Sequence, residues 1–185
     1  MPDRVYVTGA SGCGVTTLGR ALAEALGAVA IDTDDHYWVP TDPPYREKRP
    51  PGERVARIAA LQAASPRWVV SGTAESWGAP LVEAAELIAF LEAPTEVRLE
   101  RLRRRERGRF GDALLPGGAM HDTHREFIAW AGQYEEGREP GRSRPRHERW
   151  LAGVAKPVLR LDSTRPVGAL VAAVLACGEG GGGGE

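Results

Sequence analysis

The stretch that decides the fold is Gly9-Ala10-Ser11-Gly12-Cys13-Gly14-Val15-Thr16-Thr17. Residues 5–8, Val-Tyr-Val-Thr, run into it with the apolar character of a buried strand. Leu18, Leu22, Ala25 and Leu26 leave it at the spacing of one helix face. The order is strand, glycine loop, helix.

A chain that wraps a phosphate with successive backbone N–H groups needs torsions and close approaches that a Cβ obstructs, and the following helix adds its positive N-terminal end. The P-loop pattern that does this is G-x-x-x-x-G-K-[ST]. Gly9, Gly14 and Thr16 fit it, and Val15 stands in the lysine slot. Residues 9–17 are therefore the expected nucleotide-phosphate site: Gly9, Ala10, Ser11, Gly12, Cys13, Gly14, Val15, Thr16 and Thr17. The Thr16 hydroxyl is placed for Mg²⁺ and the Thr17 hydroxyl for the α-phosphate. The missing lysine removes a positive charge from the β- and γ-phosphates, where charge is held during transfer. Either another cation enters the site, or the chain binds nucleotide without turning it over quickly.

A chain of 185 residues with 42% hydrophobic content suits one domain. The formal net charge of −1 makes no electrostatic case for nucleic acid or an anionic membrane, so the expected partner is a small molecule. Cys13 and Cys177 are too few and too scattered for a disulfide framework or a metal knuckle, which suggests a reducing, cytoplasmic setting. No apolar run approaches the roughly 20 residues of a membrane span, and no signal-peptide pattern precedes the first strand. Residues 178–185, nearly all glycine, are expected to be a disordered tail after a single domain over residues 1–177.

Residues 28–31 read as a second strand that ends in Asp32-Thr33-Asp34-Asp35. In an open parallel sheet ligands bind beyond the carboxyl ends of the strands, so these acids should face the crevice of the glycine loop. Asp32 is a candidate for the Mg²⁺ shell, and Asp34 or Asp35 for accepting a proton from an attacking hydroxyl. Residues 36–52 carry Tyr37, Trp38 and Tyr45 among prolines, an aromatic loop at the edge of an acceptor pocket or simple surface packing, with Arg46, Lys48 and Arg49 able to meet an anion. A helix follows over 53–64, a third strand over 68–71, a polar loop over 72–78, a short helix over 81–86 and a fourth strand over 87–91.

The next helix, starting at Pro94, is crowded with arginine. Arg101, Arg105 and Arg109 share one face at spacing four, which makes them the favoured donors of the charge that Val15 lacks; a solvated face is the alternative. Residues 111–120 are glycine-rich, 122–136 carry a helical stripe, and the insert as a whole covers about 105–150. Arg138, Arg142, Arg144 and Arg146 form a second basic stretch that could face phosphates or solvent. His121, His124 and His147 match no closed zinc spacing. A fifth strand over 157–161 and a last helix after Pro166 complete an alternation that implies a parallel sheet covered on both faces.

With these motifs in place, the chain resembles the nucleoside-monophosphate-kinase group of P-loop kinases, which includes adenylate, shikimate and gluconate kinases. Within it the likeness is strongest to small bacterial adenylate-kinase-like proteins whose loop also reads G-A-S-G-x-G without lysine. Asp32-Thr33-Asp34 is similar to the D-x-D of shikimate kinases, while the D-G-[FY]-P-R segment of adenylate kinases and a four-cysteine lid are absent. The resemblance implies an α/β P-loop sandwich, a five-stranded parallel sheet in the order 2-3-1-4-5 and a helical lid. It also implies MgATP as phosphoryl donor, a nucleoside monophosphate or small hydroxyl acceptor, and Ser163 and Arg165 beside the adenine. The expected state is a monomer or homodimer. A nucleotide sensor with little catalysis and an enzyme acting on nucleic-acid ends are the rival readings.

Overall fold

In a computed structural model, residues 1–138 and 140–177 are described; the expected glycine tail over 178–185 lies outside the described residues. Five strands form one parallel sheet in the order β2-β3-β1-β4-β5. They are β1 (Arg4–Gly9), β2 (Val29–Asp32), β3 (Trp68–Ser71), β4 (Leu87–Glu92) and β5 (Val158–Asp162). The sheet order is the expected one, and the strand ends agree to within a residue or so.

The sheet takes this form because its inner strands are apolar on both faces, as parallel strands with two covered sides must be. Val5 and Val7 of β1 join Val69, Ala89 and Leu91 in a core under helices α1 (Val15–Leu26) and α8 (Val167–Cys177). Tyr6 joins Trp68, Val70, Ile88 and Phe90 in a second core on the opposite face. Helices α3 (Pro51–Ala63), α4 (Ala79–Glu83) and α7 (Arg144–Gly153) cover it through Ile58, Leu81 and Leu151. The remaining elements are α2 (Thr33–Tyr37), α5 (Thr95–Phe110), a 3₁₀ turn at Gly111–Leu114 and α6 (His121–Gly132).

Helix α4 lies about two residues earlier than expected and α6 stops at Gly132, short of the expected 136. Three further elements differ for identifiable reasons. The acidic cluster is helical, because the Asp32 carboxylate accepts a hydrogen bond from Asp34 N–H at 3.0 Å and so caps α2. The third helix starts two residues earlier than expected, at Pro51, since a proline fits the first helical turn. Helix α7 was hidden under a basic stretch: its buried members, His147 and Leu151, lie four apart among arginines. Among the described residues no helix is long and apolar enough to cross a membrane.

Candidate functional site

The glycine loop closes β1 onto α1, and its geometry is that of an anion cradle. Gly12 and Gly14 have φ of 87° and 85°, in the left-handed region that favours glycine. A Cβ on Gly14 would point into open space, with nothing within 4 Å. A Cβ on Gly12 would come 2.5 Å from the Arg98 carbonyl oxygen. One glycine keeps the cradle open, and the other lets α5 press against the back of the loop. The Val15 side chain packs against the apolar core on the α1 face. Thr16 is half-buried and Thr17 exposed at the helix start. The left-handed glycines and the start of α1 are compatible with a triphosphate, although the Cys13 N–H already donates to the Ala10 carbonyl at 3.1 Å, and Thr16 has the hydroxyl that could hold a nucleotide-bound Mg²⁺. Among the described residues no group of three or more His, Cys, Asp or Glu side chains could hold a metal ion unaided.

The inward face of α5 is Arg98-Leu102-Glu106, not the face of Arg101, Arg105 and Arg109. Leu102 carried the signal, since the residues four away from a buried leucine share its face. Arg101 turns to the loop after β5 and donates to the Ser163 carbonyl at 2.8 Å and to Ser163 Oγ at 3.3 Å. That contact fixes the buried Ser163, while Arg165 is exposed. Arg105 pairs with Glu106 at 2.7 Å, and Arg109 lies over the Tyr45 ring at 5.0 Å.

Arg98, fully buried, went unselected in the sequence. Its guanidinium donates to the carbonyls of Ser11 and Ala131, each at 3.3 Å, and to Thr95 Oγ1 at 3.0 Å, with Glu135 3.7 Å away. It thus ties the glycine loop to the end of α6. Arg98→Met should leave both carbonyls without donors and cost about 2–4 kcal/mol, read as a lower midpoint in denaturant. The neighbouring Cys13 is buried, which pushes its thiol pKa up and keeps it un-ionised.

Asp34 stands in the crevice beyond β2. Water reaches its carboxylate, yet the surrounding walls strip enough solvation to raise its pKa, assisted by Asp32 and opposed by Arg142 and Arg105. Asp35 is exposed on the same short helix, and Asp32 is engaged as its cap.

Two further charged groups were missed. Glu75, in the loop after β3, accepts from Thr8 Oγ1 and from the Tyr6 hydroxyl (3.0 Å), with His147 Nε2 3.6 Å away. The Tyr134 hydroxyl lies 2.7 Å from the other nitrogen of His147, and burial pushes the imidazole pKa down. Arg54, 6% exposed, stacks on Tyr37 at 3.8 Å and faces Trp77 at 5.5 Å. Its Nε donates to the Arg49 carbonyl, and among the described residues it makes no ion pair. Tyr37 meets Trp38 and Trp77 edge-on, and Trp38 meets Tyr45 in the same way, so the aromatic loop is packed in order. Two surface depressions, of about 660 and 620 Å³, are lined by no residue of the glycine loop.

A parallel sheet in this order, with a glycine loop between β1 and α1, defines the P-loop nucleotide-binding fold of the small kinases. Comparison with known proteins agrees. A family described as AAA domain matches residues 5–112. A Bacillus subtilis (strain 168) protein, YqaC, described as uncharacterized, is 35% identical over 175 residues, covering 95% of this chain and 97% of its own. Shikimate kinase 2 of Sodalis glossinidius is 42% identical over a 62-residue segment, 34% of this chain and 30% of that one. A gluconokinase from Sinorhizobium meliloti 1021 superposes with a TM-score of 0.54 at 22% identity, covering 95% of this chain and 90% of that one. A shikimate kinase from Acinetobacter baumannii, in complex with shikimate, gives 0.54 at 16%, covering 94% and 90%. The chain belongs to this family of small P-loop, kinase-like proteins.

Proposed function

We propose that the chain is an ATP-dependent phosphotransferase of the nucleoside-monophosphate-kinase type that acts on a small hydroxyl acceptor carrying an anionic group. The observation that carries this reading is the position and basicity of Asp34. An attacking alcohol must lose a proton as the phosphoryl group arrives, and a carboxylate with a raised pKa takes it more readily than an ordinary one. A phosphate acceptor is already anionic, needs no such base, and would meet repulsion from Asp32, Asp34 and Asp35. That favours an alcohol over a nucleoside monophosphate.

Arg54 supports the second half of the proposal. A buried guanidinium held by aromatic faces and one carbonyl, with no carboxylate within 4 Å among the described residues, suits an anion. The Tyr37 ring beneath Arg54 lies on the same short helix as Asp34, so an acceptor held by its anionic end would present a hydroxyl toward the carboxylate. Mg²⁺ travelling with the nucleotide would spread the negative charge of the phosphates. The chain's own share is to wrap the phosphates with amides of the glycine loop and the start of α1, to take the proton at Asp34 and to shape the acceptor pocket.

Purified protein given MgATP and a panel of small hydroxy acids, sugar acids and nucleoside monophosphates should form ADP with a hydroxy acid and not with the nucleotides. Binding of MgATP without ADP formation, whatever the acceptor, would leave the nucleotide-sensor reading that the Val15 slot supports.

A further inference from the structure

The charge that Val15 does not provide has a source on the far side of the chain: we propose that Arg142 is the cation that engages the terminal phosphates of the bound nucleotide in place of a P-loop lysine. This rests on the reading of residues 9–17 as a nucleotide site and not on the identity of the acceptor.

The guanidinium of Arg142 donates from one terminal nitrogen to the carbonyl of Gly9, the first residue of the loop, at 3.2 Å across 133 positions of sequence. Its Nε is buried without a hydrogen-bond partner, and among the described residues no carboxylate lies within 4 Å of it. A half-buried cation that pays desolvation with a single carbonyl in return is short of an anion. It is also close enough to Asp34 to stand first among the cations acting on that carboxylate.

Arg54 lies on the acceptor side between Tyr37 and Trp77, and the other arginines near the glycine loop are committed elsewhere. Arg98 also touches the loop, at Ser11, but it is enclosed and shared with Ala131, Thr95 and Glu135. Arg101 is taken up by Ser163, Arg105 by Glu106, and Arg109 by the rings of Tyr45 and Phe110. Arg144, two residues on, is neutralised by Glu92, Glu135 and Glu148. That commitment serves Arg142. Arg144 N–H donates to the Tyr134 carbonyl at 2.8 Å, the Ser143 side chain is buried, and His147 is held against Tyr134, so the chain next to Arg142 is anchored before any nucleotide arrives. An arginine held in place loses less freedom on meeting phosphate than an exposed one, and its fork suits two phosphate oxygens.

The test is MgATP affinity, read by titration calorimetry, in variants of known thermal stability. Arg142→Gln keeps a donor for Gly9 but removes the charge, and MgATP binding should weaken by about tenfold or more. Arg142→Lys keeps the charge but loses the fork, and its affinity should fall between that of the parent and that of Arg142→Gln. Unchanged affinity in Arg142→Gln overturns the proposal, as does an equal loss in Arg142→Lys. A parent protein that fails to bind MgATP at all overturns the nucleotide reading itself, a result distinct from either.

Discussion

Asp34→Asn is expected to lower phosphoryl transfer to the acceptor by about 10²-fold or more, leave MgATP binding intact and raise the thermal midpoint at neutral pH. The activity loss follows from removing the proton acceptor. The gain in stability follows from the same environment. Folding raises the carboxyl pKa above the 3.8 of an ordinary aspartate, through lost solvation and then the charge of Asp32. A group with a raised folded pKa holds its proton more tightly in the native state. Its contribution is most favourable below the unfolded value and is lost as pH rises through the folded one. At neutral pH the ionised side chain is therefore a burden that asparagine removes. The difference in midpoint between parent and variant should shrink as pH is lowered toward the ordinary aspartate range. Retained turnover in Asp34→Asn would remove this residue from the reaction, and a lower midpoint at neutral pH would contradict its electrostatic setting.

The second large effect is expected at Gly12. Alanine there meets two penalties at once: a left-handed φ of 87°, and a Cβ 2.5 Å from a backbone oxygen of α5 that has no side-chain freedom with which to yield. The backbone term alone costs about 1–3 kcal/mol. The clash must then be relieved by moving the loop away from Arg98, which spoils the amide cradle. Gly12→Ala should destabilise the protein and weaken MgATP binding by about 100-fold. Gly14→Ala is the control. It carries a similar torsional cost, but its Cβ has nothing within 4 Å, so the fold should suffer less than at Gly12 while phosphate entry is still obstructed. A calorimetric titration and a denaturant melt on both variants separate the two effects, and an undisturbed Gly12→Ala protein would contradict the close approach of α5.

The strands were legible because residues such as Val5, Val7, Val69, Ile88 and Phe90 are apolar on consecutive positions, a pattern that only a doubly covered sheet accommodates. The glycine loop was legible because its function is local in sequence. The arginines were harder, since spacing four on a charged helix describes several faces equally well. The buried one was marked only by Leu102, and its consequence, an enclosed Arg98, runs against the expectation that arginine stays at the surface. Glu75 sat in a segment read as small and polar; its partners, Thr8 and Tyr6, lie more than 60 residues away. Arg142 and Arg144 belong to one basic stretch in the sequence, yet one is neutralised by three carboxylates and the other reaches the glycine loop. Only the packing of α7 on the sheet distinguishes them. Helix α2 was obscured for the opposite reason: its acids read as a cluster at the end of the second strand, and the Asp32 cap bond starts a helix there.

The guanidinium of Arg98 behaves as a rigid strut with one foot on the loop at Ser11 and the other on α6 at Ala131. Because a strut transmits displacement in both directions, filling the loop should slow amide hydrogen exchange in α6, a segment that contributes no ligand of its own. Conversely, a substitution that loosens α6 should be felt as weaker grip at the amino-terminal end of the chain.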